Sequence, residues 1–281
     1  MTGRKKSSNN SSEAAGNGKV ITITSGKGGV GKTTATANLG AALAAEGYKV
    51  CCIDGDIGLR NLDVVLGLEN RIVYDVVDVI EGRCKLRQAM IRDKRLPELY
   101  LIPAAQTRDK SAISPSDMVR LADELRGEVD YIVIDSPAGI ERGFRNAIAP
   151  ADEIVIITNP EVSAVRDADR IIGLIEAEQK GPAKLVINRL NAKMVQRGDM
   201  LAPEDVLELL AIELIGLVPE DEHVIVSSNS GSPIVLNEKS RAGQAFRNIA
   251  KRLAGQTVPF MDMAADDGLL NRLGKFMGRG G

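Results

Sequence analysis

Eight residues constrain this chain more than any others: Gly26-Lys27-Gly28-Gly29-Val30-Gly31-Lys32-Thr33. Glycines at that spacing ending in Lys-Thr match the phosphate-binding P-loop, a pattern that carries meaning only between a strand and a helix. Both flanks are present. Val20-Ile21-Thr22-Ile23-Thr24 reads as a strand, and an alanine-rich stretch from Thr33 to near Glu46 reads as the helix. In such a loop the glycines let backbone N–H groups turn inward around phosphate oxygens, where the helix dipole also favours an anion. Lys32 is placed to hold the outer phosphates and the Thr33 hydroxyl to hold Mg²⁺, with Thr34 next in the nucleotide-binding run. The motif predicts binding of a nucleoside triphosphate. Lys27, directly after the first glycine, is an extra cation.

The chain has 281 residues and is 44% hydrophobic, enough for one α/β domain of about 240 residues. A net charge of -2 offers no global basic field for nucleic acid, so such a role would need a local patch. Cys51 and Cys52 are adjacent in an apparent strand and Cys84 stands alone. No pair has zinc or iron–sulfur spacing, and reduced structural cysteines are expected. The single histidine, His223, lacks partners for a triad and reads as a surface or hydrogen-bonded residue. Residues 1–18 are polar and Ser/Asn-rich, with Arg4, Lys5 and Lys6 against Glu13, and have no apolar signal core. They read as a disordered tail, with part of an organelle transit sequence as the alternative. No apolar stretch reaches the roughly 18 residues that a membrane span needs.

Short β-branched apolar runs recur at 49–53, 131–134, 153–158, 183–188 and 214–218, between helical stretches at 116–126, 163–178 and 203–210. Strands that are apolar almost throughout are covered on both faces. Their alternation with helices predicts a single-domain α/β P-loop NTPase with a mostly parallel, helix-covered sheet. Ligands in such folds lie beyond the carboxyl ends of the strands, and the residues there have suitable chemistry. One strand ends in Asp54-Gly55-Asp56 and another in Asp135. A strand that delivers a carboxylate beside a P-loop holds Mg²⁺ directly or through its waters, which makes Asp54 and Asp135 candidates with Thr33. Asp56, on the exit of its strand, is better placed to orient the attacking water or take its proton.

These motifs resemble the deviant Walker A ATPases, the ParA–MinD family, whose signature is the loop with the extra lysine. Further matching runs lie at 54–63, 103–110, 135–141, 158–167 and 197–201, and the resemblance spans about residues 19–278, most strongly toward the septum-placing branch. It implies that Lys27 reaches across an ATP-held homodimer to the partner's nucleotide. Asp56 and Asn61 match a segment that changes shape with nucleotide state, and Asp135 to Gly139 match a second. Asn188, Arg189, Pro219 and Asp221 match the loops around adenine. Arg60 and Asp167 are implied contacts for partners, which would be a MinC-like division inhibitor and a MinE-like peptide that stimulates ATP hydrolysis. A DNA-partition ATPase of the same family is the alternative function, and it requires a basic surface with steep salt dependence.

Leu269, Leu270, Leu273, Phe276 and Met277 share one helical face within residues 266–279, with cations elsewhere and a linker at 259–265 before them. A basic amphipathic helix of this kind reads as an interfacial membrane anchor, with packing on the domain's own core as the alternative. Each large side chain gains roughly 1.5–3 kcal/mol if fully buried. Ordering each residue costs about 1–2 kcal/mol. One copy is therefore a marginal anchor, whereas two linked copies gain about 10²–10⁴ in avidity. The expected location is the cytoplasm or plastid stroma and the inner face of an anionic membrane.

Overall fold

The computed structural model describes residues 18–108 and 112–263. The tail, apart from Gly18, and the terminal helix carrying Leu269, Leu270, Leu273, Phe276 and Met277 lie outside the described residues. The chain enters as β1 (Lys19–Thr24), turns through the glycine loop into α1 (Lys32–Ala45) and returns as β2 (Val50–Asp54). Short helices α2 (Leu62–Leu66), α3 (Val76–Ile80) and α4 (Leu86–Ala89) precede a hairpin of β3 (Ile91–Arg92) and β4 (Leu99–Ile102). Strand and helix then alternate through α5 (Pro115–Arg126), β5 (Tyr131–Asp135), α6 (Arg142–Ile148), β6 (Glu153–Thr158), α7 (Val162–Ala177) and β7 (Ala183–Leu190). The remainder is α8 (Ala192–Arg197), α9 (Pro203–Leu210), β8 (Glu213–Pro219), α10 (His223–Asn229) and α11 (Arg241–Leu253).

Among the described residues the eight strands form one sheet in the order β3-β4-β2-β5-β1-β6-β7-β8. Every neighbouring pair is parallel except β3–β4. Strand side chains alternate between faces, and the core follows that alternation. Ile21, Ile23, Cys52 and Val133 pack with Leu39 and Leu43 of α1 and Phe246 and Ile249 of α11. On the opposite face Cys51, Ile53, Ile132 and Ile134 meet Leu121 and Leu125 of α5. Ile154, Ile156, Leu185 and Ile187 extend that face beneath Ile171 and Ile175 of α7. The two adjacent cysteines therefore point to opposite sides of the sheet. Burial raises both thiols, Cys52 to about 12, so neither is a reactive thiolate. Gly40 lets α1 approach β2 closely, since a Cβ there would lie 2.3 Å from Cys52 Sγ.

The starts of α3, α5 and α11 follow ordinary capping chemistry. Asp75 accepts from Val77 and Asp78 at α3, Ser114 caps α5 ahead of Pro115, and the Ser240 hydroxyl accepts the Gly243 N–H at α11. The first part of the expected linker is packed. Arg252 donates to the Val258 and Pro259 carbonyls and stacks on Phe260, and Met263 is buried.

Candidate nucleotide site

The strand order places β1 between β5 and β6, so the loop that leaves β1 emerges where neighbouring connections diverge to opposite sides, the place where a crevice opens in such sheets. In register, Asp135 pairs with Ile23 of β1 and Asp54 of β2. Two carboxylates thus end side by side beneath the glycine loop. Gly31 caps α1 in the left-handed region at φ 96, with no side-chain cap. The first N–H groups of α1 are left for an anion instead of a capping hydroxyl. At the first glycine the constraint is close approach, because a Cβ on Gly26 would lie 2.2 Å from the Asp167 carbonyl oxygen on α7.

Asp135 is the hub of the phosphate end. It is buried, and it accepts from Thr33 Oγ1 at 2.6 Å, Thr36 Oγ1 at 3.1 Å and Lys32 Nζ at 3.3 Å. Asp54 serves the neighbouring loop, accepting the backbone N–H groups of Asp56 at 3.0 Å and of Asn61 and Leu62 at 3.2 Å. Burial, then the charge of Asp135, pushes its carboxyl up to about 7 against these three donors. Asp54 therefore organises the turn that displays Asp56 and Asn61 as well as lying beside Asp135.

A cleft of about 560 Å³ opens over these groups, lined by Lys27, Gly28, Gly29, Gly31, Lys32, Thr33, Thr34, Asp56 and Asn61 together with Leu59, Val64, Val65, Arg189, Ser228 and Asn229. Lys27 stands at its rim, exposed, 3.1 Å from Ser163 Oγ and 3.6 Å from Glu161. A second hollow of about 350 Å³ adjoins it at Gly31 and Thr34, bounded by Asn188, Arg189, Pro219, Glu220 and Asp221. Both volumes lie in the range of small-molecule sites. Asn188 Nδ2 donates to the Val30 carbonyl at 2.8 Å, tying the end of β7 to the glycine loop. Asp221 is fixed by Ser240 Oγ at 2.7 Å and by His223. Burial alone would raise its carboxyl, but these donors hold it below the ordinary range.

The structure thus gathers the residues expected for phosphate, metal and base around one continuous depression. Arg60 and Asp167 sit at its margins. Arg60 is largely covered and pairs with buried Asp63 at 2.6 Å, and Asp167 is half-buried behind the loop. The sequence reading missed Thr36, although it lies one turn beyond Thr33 on the same face of α1. It also missed Val64, Val65, Ser228 and Asn229, which no local pattern marks.

The donors facing the phosphate end are hydroxyl and carboxylate oxygens, the set a hard divalent cation prefers. Among the described residues no group of three or more His, Cys, Asp or Glu forms a closed cage. That suits Mg²⁺, which keeps waters and takes phosphate oxygens as ligands. Thr33 would hold it, with Asp135 and Asp54 behind.

The model of the CobQ/CobB/MinD/ParA nucleotide binding domain matches residues 21–234. The septum site-determining protein MinD of Synechocystis is 58% identical over 91% of this chain and 97% of its own length. That of Bacillus subtilis is 52% identical over 93% and 98%. Among solved structures, the MinC:MinD cell division protein complex of Aquifex aeolicus matches with a TM-score of 0.82 and 50% identity, covering 88% of this chain and 100% of that one. MinD of Pyrococcus horikoshii, solved with Mg-ADP, matches with a TM-score of 0.76 and 30% identity over 84% and 95%. With its glycine loop, paired strand-end carboxylates and near-full-length relatives, the chain belongs to the CobQ/CobB/MinD/ParA family of nucleotide-binding proteins.

Proposed function

We propose that this chain is a P-loop ATPase that determines where a division septum forms, cycling between a soluble monomer and an ATP-held homodimer on a membrane surface. The observation that carries the reading is the phosphate end: Lys32, Thr33 and Asp135 converge under a helix N-terminus left uncapped, with exposed Lys27 beside it. Backbone N–H groups and Lys32 bind the phosphates. Thr33, backed by Asp135 and Asp54, would hold Mg²⁺, which would supply positive charge to offset the phosphates. Asp56 orients the attacking water or takes its proton, with Asn61 on the same turn. Lys27, whose side-chain partners among the described residues, Ser163 and Glu161, are exposed, reaches the nucleotide of a second copy and neutralises developing charge there, as an arginine finger does. The loops at Asn188, Arg189, Pro219 and Asp221 receive the adenine.

Residues 266–279 supply a weak amphipathic anchor that holds only when the dimer presents two copies. Residues 19–258 form the ATPase domain. A MinC-like division inhibitor rides on the dimer and a MinE-like peptide stimulates hydrolysis, with Arg60 and Asp167 near their contacts. The solved MinC:MinD complex of a 50% identical relative supports the first of these partners. The location is peripheral, on the cytoplasmic or stromal face.

The test is co-sedimentation with anionic vesicles under ATP, ADP and no nucleotide, for the whole chain and for one ending at Ala265. Binding that requires ATP and disappears on truncation supports the dimer-gated anchor. Binding indifferent to nucleotide, or retention of DNA without vesicle binding, rejects it in favour of a partition ATPase.

A further inference from the structure

The one antiparallel pairing in the sheet, β3 with β4, encloses a turn that has no part in the glycine loop. Asp93, buried there, accepts the backbone N–H of Arg95 at 2.6 Å and of Leu96 at 3.0 Å, and holds the Arg95 guanidinium at 2.8 Å. Burial alone would raise that carboxyl, but Arg95 and the backbone donors outweigh it and hold it below its ordinary value. One terminal nitrogen of Arg95 donates to the Leu66 carbonyl at 2.6 Å and the other to the Gly231 carbonyl at 2.8 Å. Leu66 is the last residue of α2, and Gly231 follows α10. Carbonyls at helix ends lack intrahelical partners, and the planar fork of one guanidinium reaches two at once from separate nitrogens, whereas an ammonium offers its donors from a single point.

Beneath the fork the two chain segments meet backbone to backbone. A Cβ on Gly67 would lie 2.5 Å from the Gly231 carbonyl oxygen, and one on Gly231 would lie 2.6 Å from Gly67 Cα. Both glycines have positive φ, 65 and 60, so only glycine combines the conformation with the approach. The seam lies between two walls of the nucleotide cleft. From one side α2, which directly follows the Asp56–Asn61 turn, lines the cleft with Val64 and Val65. From the other, α10 lines it with Ser228 and Asn229.

We propose that Arg95, set by Asp93, is a positioning residue for ATP hydrolysis: it clasps α2 to α10 so that the turn bearing Asp56 and the base-side wall keep one relative geometry. The role rests on the ATPase reading and acts through α2, since Arg95 is not among the cleft-lining residues.

The experiment uses the full chain as wild type, Arg95→Ala, Arg95→Lys and Arg87→Ala. The last removes an exposed guanidinium paired with Glu128 away from the cleft. Steady-state hydrolysis of Mg-ATP is measured across ATP concentration, with melting temperature and amide hydrogen exchange alongside. Arg95→Ala is expected to lower kcat about ten-fold, the scale of a small misplacement of a water-orienting group. Exchange should accelerate together in residues 62–68 and 224–231 while α5 is unchanged. Arg95→Lys, which keeps the charge beside Asp93 but loses the fork, should retain the kcat defect with most of the thermal stability restored. Arg87→Ala should match wild type. Turnover by Arg95→Lys within two-fold of wild type, or faster exchange in one segment without the other, overturns the clasp. A wild-type chain that binds ATP without hydrolysing it removes the ATPase reading, and the positioning role with it, even where the exchange data still report a joined seam.

Discussion

The two ends of the nucleotide depression are built on different principles. At the phosphate end, between β1, β2 and β5, every functional group lies on or beside a regular element: Asp54 and Asp135 are strand-terminal and in register, and Lys32 and Thr33 open α1. At the end proposed to receive the base, between β7, β8 and α10, the register slips between Leu185 and Val186 and again between Ile187 and Leu190, and Arg189 takes φ 55. A phosphate is a fixed charge that a fixed cradle of N–H groups and one lysine can match. A base is a flat, mostly apolar object recognised by shape, which irregular backbone provides. The sharpest way to test this contrast is Lys32→Ala. It removes the charged side chain that, among the described residues, pairs with Asp135 and would also meet phosphate, and equilibrium binding of ATP is expected to weaken by 100-fold or more, roughly 3 kcal/mol. Binding within a few-fold of wild type would mean that the backbone cradle alone carries the phosphate end.

The two loop lysines are the proposed division between binding and assembly. Lys32 is buried, whereas Lys27 is exposed and meets Ser163 and Glu161 at distances typical of weak surface contacts. Lys27→Ala should therefore leave the fold and monomeric ATP binding near wild type. ATP-dependent dimers seen by light scattering should vanish, with turnover reduced by about 10² or more, as when a trans-acting cation is lost. An undiminished dimer would confine Lys27 to its own subunit.

Asp54 gives a prediction in pH. Its carboxyl stands near 7, raised by burial and by Asp135, so the native chain holds a proton where the unfolded chain, near 3.8, has released it. The stability from this group is fully present below about pH 4 and is lost as pH rises to about 7, on the order of 4 kcal/mol across that window. Asp54→Asn should flatten that part of the profile in urea denaturation. An unchanged pH slope would overturn the raised carboxyl at Asp54.

How much of this was legible in the sequence follows the same division. The glycine loop, the strands at 20–24, 131–134 and 153–158 and the aspartates that end two strands carry their meaning in local order, because backbone periodicity fixes where they point. The helix at 203–210 was also readable, from its apolar spacing. The short β4 and its partner β3 were not, since Leu99–Ile102 is four residues long and acquires strand identity only from β2 beside it. Nor was the seam of Gly67 with Gly231, which joins residues distant in sequence through a close approach that no motif encodes. The beginning of the expected linker looked like a tether because Pro259 and the small polar residues after it suggest a break. Arg252 packs its beginning on the domain by satisfying the Pro259 carbonyl, along with that of Val258 just before it, and by stacking on Phe260.

Asn188 tests the base end at its junction with the phosphate end. Its side chain is buried, its amide nitrogen donates to the Val30 carbonyl, and a Cβ on Gly31 would lie 2.4 Å from that nitrogen. One residue thus supports the loop's geometry from behind and lines the hollow in front. Asn188→Ala removes a net contribution of about 1 kcal/mol for the hydrogen bond and leaves a buried carbonyl without that donor. The expected result is a rise in KM for ATP of about five- to ten-fold with kcat nearly unchanged. GTP should lose less, because its base has a different pattern of donors and acceptors at the same hollow. If kcat fell as far as KM rose, the contact to Val30 would be shaping the phosphate loop during hydrolysis, and the two ends would act as a single device. If only KM moved, and moved more for ATP than for GTP, Asn188 would belong to base recognition.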